Sequence, residues 1–288
     1  MMYLFILTFF IKATTLEDSI LVDGHKRTYI IDLPAKANGK RPLLLVLHGG
    51  FGSAAQAKSS YKLSAIGAKK GYAVVYADGI VPEGRLKIRT WNAGGCCGYA
   101  AREDIDDVKF LSMLIDKLVK EQNVDPDQVF VTGMSNGAMM AYRLACEIPE
   151  KIRAIAPVAG YVLPQGTCGS SVPILHFHSL HDEHVPFRGG KGKGPSNFSF
   201  PSLEEVMGTW ENINGCAKRD TTHYENYNVI HWKKCGADTK YYITKDGGHS
   251  WPGADNKPRP RADPPSTAVD ANTLMFDFFE TVKSRKKK

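Results

Sequence analysis

The sequence predicts an α/β fold, a mostly parallel central sheet with helices on both faces, and three observations carry that reading. Short unbroken apolar runs recur at Pro42–Leu47, Tyr72–Tyr76, Val129–Thr132, Ile152–Val158, Pro173–Phe177 and Lys240–Ile243. Strands buried on both faces look like this, because neither face meets water. Helix-competent segments separate most of these runs, and such alternation implies parallel pairing. The third observation is Gly133-Met-Ser-Asn-Gly137, which stands where one apolar run gives way to a helix.

Each element has its own signal. Ile20–Val22 and Arg27–Leu33 read as an antiparallel pair turning around Asp23-Gly24. The clearest helix runs from about Asp104 to Gln122, with Ile105, Val108, Leu111, Ile115 and Leu118 on one face. Asp104 is its expected N-cap, and Asp107 adds negative charge to the first turn. Further helices fit Ser60–Lys70, Asn136–Glu147, Ser202–Asn214 and Ala268–Lys283. Phe187–Pro201 and Pro252–Pro265 read as loops that follow sheet strands, where α/β enzymes carry their sites. There is no internal repeat and no low-complexity linker, so residues 14–288 are expected to form one catalytic domain.

The bulk properties narrow the class. The chain has 288 residues, 43% hydrophobic and 23% charged, the proportions of a soluble globular protein. Met1–Ala13 has an apolar run too short to span a bilayer but long enough for the core of a signal peptide. The expected location is therefore secreted or extracellular, with the periplasm as the other exported compartment. The six cysteines are even in number and form no CxxC pair, which fits disulfides in an oxidising compartment. Cys216 and Cys235 flank one short excursion and are the expected pair. The formal charge is +7, part of it in the Lys-rich tail. No interleaving of aromatic and basic residues suggests nucleic acid as a partner. No later segment could span a membrane, and nothing implies an obligatory protein partner.

The chemistry is expected at Ser135. A strand-to-helix turn lifts its hydroxyl above the sheet edge, and Gly133 and Gly137 relieve the crowding on either side of it. A nucleophilic serine needs a base, and the base an orienting acid, in the chain order Ser, acid, His. The run Pro173–Phe177 leads into His178-Ser-Leu-His-Asp-Glu-His184, where Asp182 is the expected acid and Glu183 its rival. The last apolar run leads into a Gly-rich loop carrying His249, the expected base. Two backbone donors are needed for an oxyanion. One is Asn136, and the other lies in His48-Gly-Gly-Phe-Gly52, where Gly50 is preferred to Phe51. His48 reads as a brace for that loop. Trp91 and Trp251 are candidates either for the substrate pocket or for core packing.

Two rival readings are weaker. His176, His178, His181 and His184 cluster around Asp182, but Leu180 stands where an H-x-H-x-D-H metal pattern needs its aspartate, so no metal is expected. A non-catalytic polymer-binding protein on the same fold would lack a triad member, and none is missing.

These pieces resemble the secreted polyhydroxybutyrate depolymerase/feruloyl esterase family of α/β-hydrolases. The resemblance rests on Leu47-His-Gly-Gly50, Trp91-Asn-Ala-Gly-Gly-Cys-Cys-Gly98, Asp106-Asp-Val108, Gly133-Met-Ser-Asn-Gly-Ala138, Pro157-Val-Ala-Gly160, Asp182 with Val185-Pro186, and Gly248-His-Ser-Trp-Pro-Gly253. It implies cofactor-free hydrolysis of carboxylic esters through Ser135, Asp182 and His249. One departure is Ser179, where the family usually has glycine. Small acyl esters and soluble hydroxybutyrate oligomers are the expected substrates, with feruloyl esters on plant polysaccharide as the alternative. Phe187, Phe198 and Phe200 would build an apolar wall beside the site, and Arg188, Lys191 and Lys193 would attract a carboxylate.

Overall fold

The computed structural model describes residues 14–35, 39–82, 87–194, 196–255 and 262–284. The expected signal peptide and the end of the Lys-rich tail lie outside the described residues.

The strands, in chain order, begin with β1 (Thr14–Val22), β2 (His25–Leu33), β3 (Arg41–Leu47) and β4 (Ala73–Ala77). They continue with β5 (Val124–Met134), β6 (Ala154–Val158), β7 (Ile174–Ser179) and the short pair β8 (Gly190–Lys191) and β9 (Ser199–Phe200). β10 (Lys218–His223), β11 (Tyr227–Lys233) and β12 (Thr239–Thr244) complete the set. All but β8 and β9 join one sheet in the order β1-β2-β4-β3-β5-β6-β7-β12-β11-β10. The strands from β4 through β12 in that order pair in parallel, and an antiparallel pair closes each edge.

Side chains alternate across this sheet and fill two cores. Leu43, Leu45 and Leu47 face one side with α4 (Asp107–Glu121), α5 (Asn136–Glu147) and α6 (Leu203–Ile213). Leu44 and Val46 face the other with α1 (Ala54–Tyr61), α2 (Leu63–Lys69) and α7 (Ala271–Lys283). The short α3 (Gly98–Arg102) precedes α4. Among the described residues no helix is long and apolar enough to cross a membrane. All six cysteines are paired, as Cys96–Cys97, Cys146–Cys168 and the expected Cys216–Cys235.

Several local expectations are corrected. The helix read at Ser60–Lys70 is two helices, broken at Lys62, whose φ of 55° is left-handed. α4 begins later than expected, capped by Asp106, whose carboxylate accepts the Lys109 N–H at 2.8 Å. Asp104 cannot cap it, because it holds φ 44° in the turn before. Asp107 does stand in the first turn, where it turns inward to meet Arg27. The β10–β11 hairpin escaped notice because Lys-Arg-Asp-Thr-Thr-His is an exposed edge strand with no apolar alternation. At Ser202 the capping box is present, with the Ser202 hydroxyl accepting the Glu205 N–H and the Glu205 carboxylate accepting the Ser202 N–H.

Candidate active site

Ser135 is the single residue between β5 and α5, with φ 55° and ψ −121°. A serine in that region is strained, and the surroundings hold it there. Its N–H donates to Val158 O at 2.9 Å. A Cβ on Gly133 would stand 2.7 Å from the Gly137 carbonyl, so the crowding expected across the turn is real. Gly160 is a second close approach, since any side chain there would run into the backbone of Ser135.

Asp182 follows β7 and is buried, 3% exposed. Its Oδ1 accepts the N–H groups of His184 at 2.9 Å and Val185 at 2.8 Å. Its Oδ2 accepts from His249 Nδ1 at 2.8 Å. Burial pushes the carboxyl up, but the charge of His249 and its hydrogen bond, with help from His178 and the Val185 N–H, hold it below the ordinary aspartate value. An ionised carboxylate only accepts, so Nδ1 of His249 is the donor in this bond and Nε2 is the ring nitrogen turned away from Asp182. The rival acid Glu183 points elsewhere, to Lys193 at 2.7 Å. Ser179, the departure from the family pattern, has a part of its own. Its hydroxyl donates to Asp246 O at 3.1 Å and accepts the His181 N–H at 3.1 Å, joining the acid loop to the loop that carries His249. Glycine there would lose both bonds.

Asn136 opens α5, and its side chain is fastened to Trp91 in both directions. Its Oδ1 accepts the Trp91 N–H at 2.7 Å, and its Nδ2 donates to Trp91 O at 3.0 Å. Of the two candidates in the glycine loop, Phe51 has its N–H bonded to Arg89 O at 3.0 Å. Among the described residues no acceptor takes the Gly50 N–H, and a Cβ on Gly50 would lie 4.0 Å from Asn136 Cβ. Gly50 and Asn136 are therefore neighbours beside Ser135.

His48 braces this loop through both ring nitrogens. Nδ1 donates to Gly49 O at 2.7 Å, and Nε2 accepts the Gly79 N–H at 2.9 Å. Burial depresses its pKa to about 4. Its ordinary value is 6.5, so the unfolded chain binds the proton first as pH falls. The stability this group contributes is complete above pH 6.5 and disappears on the way down to about 4. At about 1.4 kcal/mol per pH unit, that is about 3 kcal/mol. His176 and His178 are depressed by burial as well and act in the same direction. Urea midpoints measured from pH 7 to pH 5 should therefore fall steadily, and a flat profile would contradict the buried neutral histidines.

The two tryptophans part company. Trp91 is fully buried, stacks on Phe110, and donates from Nε1 to His48 O at 2.9 Å. It is a structural brace and not a pocket residue, because its ring lies beneath the loop that it supports. Trp251 is 4% exposed and stacks on Tyr61 with ring centroids 4.2 Å apart. It forms part of the wall of a groove of about 650 Å3 that is also lined by Met134, His249, Asp263 and, on and just after α1, Gln56, Ser59 and Lys62.

The histidine cluster disperses to separate partners. His176 meets the Tyr142 hydroxyl at 3.0 Å, His178 donates to Val185 O at 2.9 Å, and His181 to Lys245 O at 3.1 Å. His184 stacks on His249. Among the described residues no group of three or more His, Cys, Asp or Glu is placed to hold a metal ion. Sequence reasoning missed Asp263, which accepts the His249 N–H at 2.7 Å, and the Arg27–Asp107 pair. Asp263 sits in a Pro-rich loop without periodicity, and nothing in its neighbours marks it.

The model of the Esterase PHB depolymerase family matches residues 27–179. Feruloyl esterase B of Piromyces equi is 27% identical over 237 residues, 78% of this chain and 42% of that protein. The putative esterase NocK of Nocardia uniformis subsp. tsuyamanensis is 35% identical over 188 residues, 62% of this chain and 51% of that one. The chain thus spans about half the length, or less, of these relatives. An acetyl xylan esterase from Aspergillus awamori superposes with a TM-score of 0.61 at 16% identity, covering 81% of this chain and 94% of that chain. On an α/β-hydrolase fold, and with a family match across β2 to β7, the chain belongs to the Esterase PHB depolymerase family.

Proposed function

We propose that the chain is a serine carboxylic-ester hydrolase working through an acyl-enzyme. The observation that carries this is a strained Ser135 directly after β5, with a buried Asp182 after β7 bonded at 2.8 Å to a half-buried His249 after β12. His249 Nε2 takes the Ser135 proton as the hydroxyl attacks the ester carbonyl. The N–H groups of Asn136 and Gly50 receive the oxyanion. The alcohol leaves with the proton returned by His249, and a water activated by the same nitrogen releases the acid. Neither a cofactor nor a protein partner is needed for this chemistry. The three disulfides support an exported protein in an oxidising compartment.

For substrates we propose small acyl esters, soluble hydroxybutyrate oligomers among them. The loop expected to favour the oligomers supports this less than its sequence suggested. Phe200 is buried against Tyr161 with Phe198 packed on it, and Lys193 is paired with Glu183. A second reading, esters on plant polysaccharide, is favoured by the groove. His249 must return a proton to the departing alcohol, and His249 lines this groove, which suits the groove to the alcohol half of the ester. Gln56, Ser59, Ser60 and the Lys62–Asp255 ion pair put hydrogen-bonding groups on a wall otherwise made of Tyr61, Trp251 and Pro264, a mixture suited to a hydroxylated alcohol.

The deciding measurement is kcat/KM for p-nitrophenyl butyrate, a hydroxybutyrate trimer, methyl ferulate and an acetylated xylo-oligosaccharide. Turnover of the first two is expected. A tenfold preference for ferulate or the acylated saccharide moves the assignment to the second reading, and inactivity on all four overturns the esterase.

A further inference from the structure

His249 is held by more than Asp182. His184 stacks on its ring, with centroids 4.9 Å apart and planes 28° from parallel. Asp263 accepts the His249 backbone N–H with Oδ2 at 2.7 Å, and the same oxygen stands 3.6 Å from His184 Nδ1. A Cβ on Gly248 would come within 2.5 Å of that oxygen, so the glycine before His249 is what admits the carboxylate. His184 is itself fixed from behind. Its N–H donates to Asp182 Oδ1 at 2.9 Å, and Gly192, just after β8, packs so closely on the His184 carbonyl that no side chain would fit between them.

The geometry points to His184 and Asp263 as positioning residues that fix the face and the backbone of His249, a role that rests on His249 being the base proposed above. The physical need is plain. The bond to Asp182 fixes one atom of the imidazole but leaves the ring free to pivot about Nδ1, and a pivot swings Nε2 away from the serine. A stacked ring removes that freedom, and the Asp263 bond stops the backbone from moving with it. Neither side chain is needed for the hydrogen bond to Asp182 Oδ1, which comes from the His184 backbone and survives substitution. His184 is not part of the groove wall, so it acts through His249 and not through substrate; Asp263 is on that wall, and a loss in kcat with KM held is what assigns it to His249.

The test compares His184→Ala, His184→Phe, Asp263→Ala and Asp263→Asn with the wild type on p-nitrophenyl butyrate. An aromatic contact is worth a modest factor, and loss of alignment adds to it. His184→Ala should lower kcat about tenfold, with KM within about twofold and the melting temperature little changed. His184→Phe keeps a ring over His249 and should stay within about threefold of wild type. Asp263→Ala should resemble His184→Ala, while Asp263→Asn, which retains an acceptor, should be milder. An unchanged kcat in His184→Ala overturns the inference. So does a His184→Phe variant as impaired as the alanine one, or a loss confined to KM. A wild type that turns over no ester condemns the esterase reading instead, so the two failures are distinguishable.

Discussion

Replacing Ser135 by alanine is expected to lower ester turnover by on the order of 10⁵-fold, and His249→Ala by a similar factor, with the fold intact in both. The reason is that neither group works alone. A serine hydroxyl without a base is a poor nucleophile, and a base without the hydroxyl has nothing to activate. The double variant should therefore be within a few-fold of either single one, since residual rate comes from binding and from the Asn136 and Gly50 donors. Losses that multiply would break the shared mechanism. Asp182→Asn should cost about 10⁴-fold, by analogy with serine proteases in which the amide selects the wrong imidazole tautomer. Here the amide nitrogen would face Nδ1–H, or force the proton onto Nε2, where it blocks proton uptake. Glu183→Gln should stay near wild type, because that carboxylate meets Lys193 and not His249. Steady-state kinetics on p-nitrophenyl butyrate, with melting curves as the control for folding, check all five variants. Damage at Glu183 with none at Asp182 would reverse the assignment of the acid.

The parts of the fold that were legible in the sequence are those in which burial is symmetric. β3, β4, β6 and β7 are covered on both faces, so apolar side chains fill most positions and the runs stand out. Ser135 was legible because its turn demands small neighbours on both sides, and that demand is written into three consecutive alternate positions. The edges were not. Lys218–His223 pairs through its backbone alone, with side chains in water, so its sequence carries no pattern. The break at Lys62 depends on where Tyr61 and Leu63 must be buried, which is a tertiary fact. Asp104 and Asp106 offer the same capping chemistry, and only the left-handed turn at Asp104 separates them. Trp91 illustrates a different limit. An aromatic residue next to a site motif can line the pocket or support it from beneath, and the sequence is the same in either case. The supports of His249 were the least visible, since Asp263 is 14 residues away in a loop defined only by what it touches.

Asp107 brings the largest expected loss of stability. Arg27 on β2 and Asp107 in the first turn of α4 meet at 2.5 Å, with side chains 2% and 0% exposed. The guanidinium also lies 4.0 Å over the Phe110 ring, and Asp107 Oδ2 accepts the Asn92 N–H at 2.7 Å. Removing one partner strands the other charge away from water, and such losses run to about 3–5 kcal/mol. Asp107→Ala should therefore lower unfolding free energy by about that much, read as the shift of a urea transition. Arg27→Met should be similar, because the carboxylate is then unpaired. The paired variant Arg27→Met with Asp107→Leu should lose less than Asp107→Ala, since it leaves no buried charge and strands only neutral groups, the Asn92 N–H and the Asp78 carbonyl. The loss should reach the site too. Asp107 fixes Asn92, the neighbouring Trp91 backbone clamps the Asn136 side chain, and Asn136 supplies an oxyanion donor. Below its unfolding transition, Asp107→Ala should then show a reduced kcat with KM nearly unchanged. A shift under about 1 kcal/mol, or a paired variant no better than Asp107→Ala, would mean that the ion pair is not what holds this corner together.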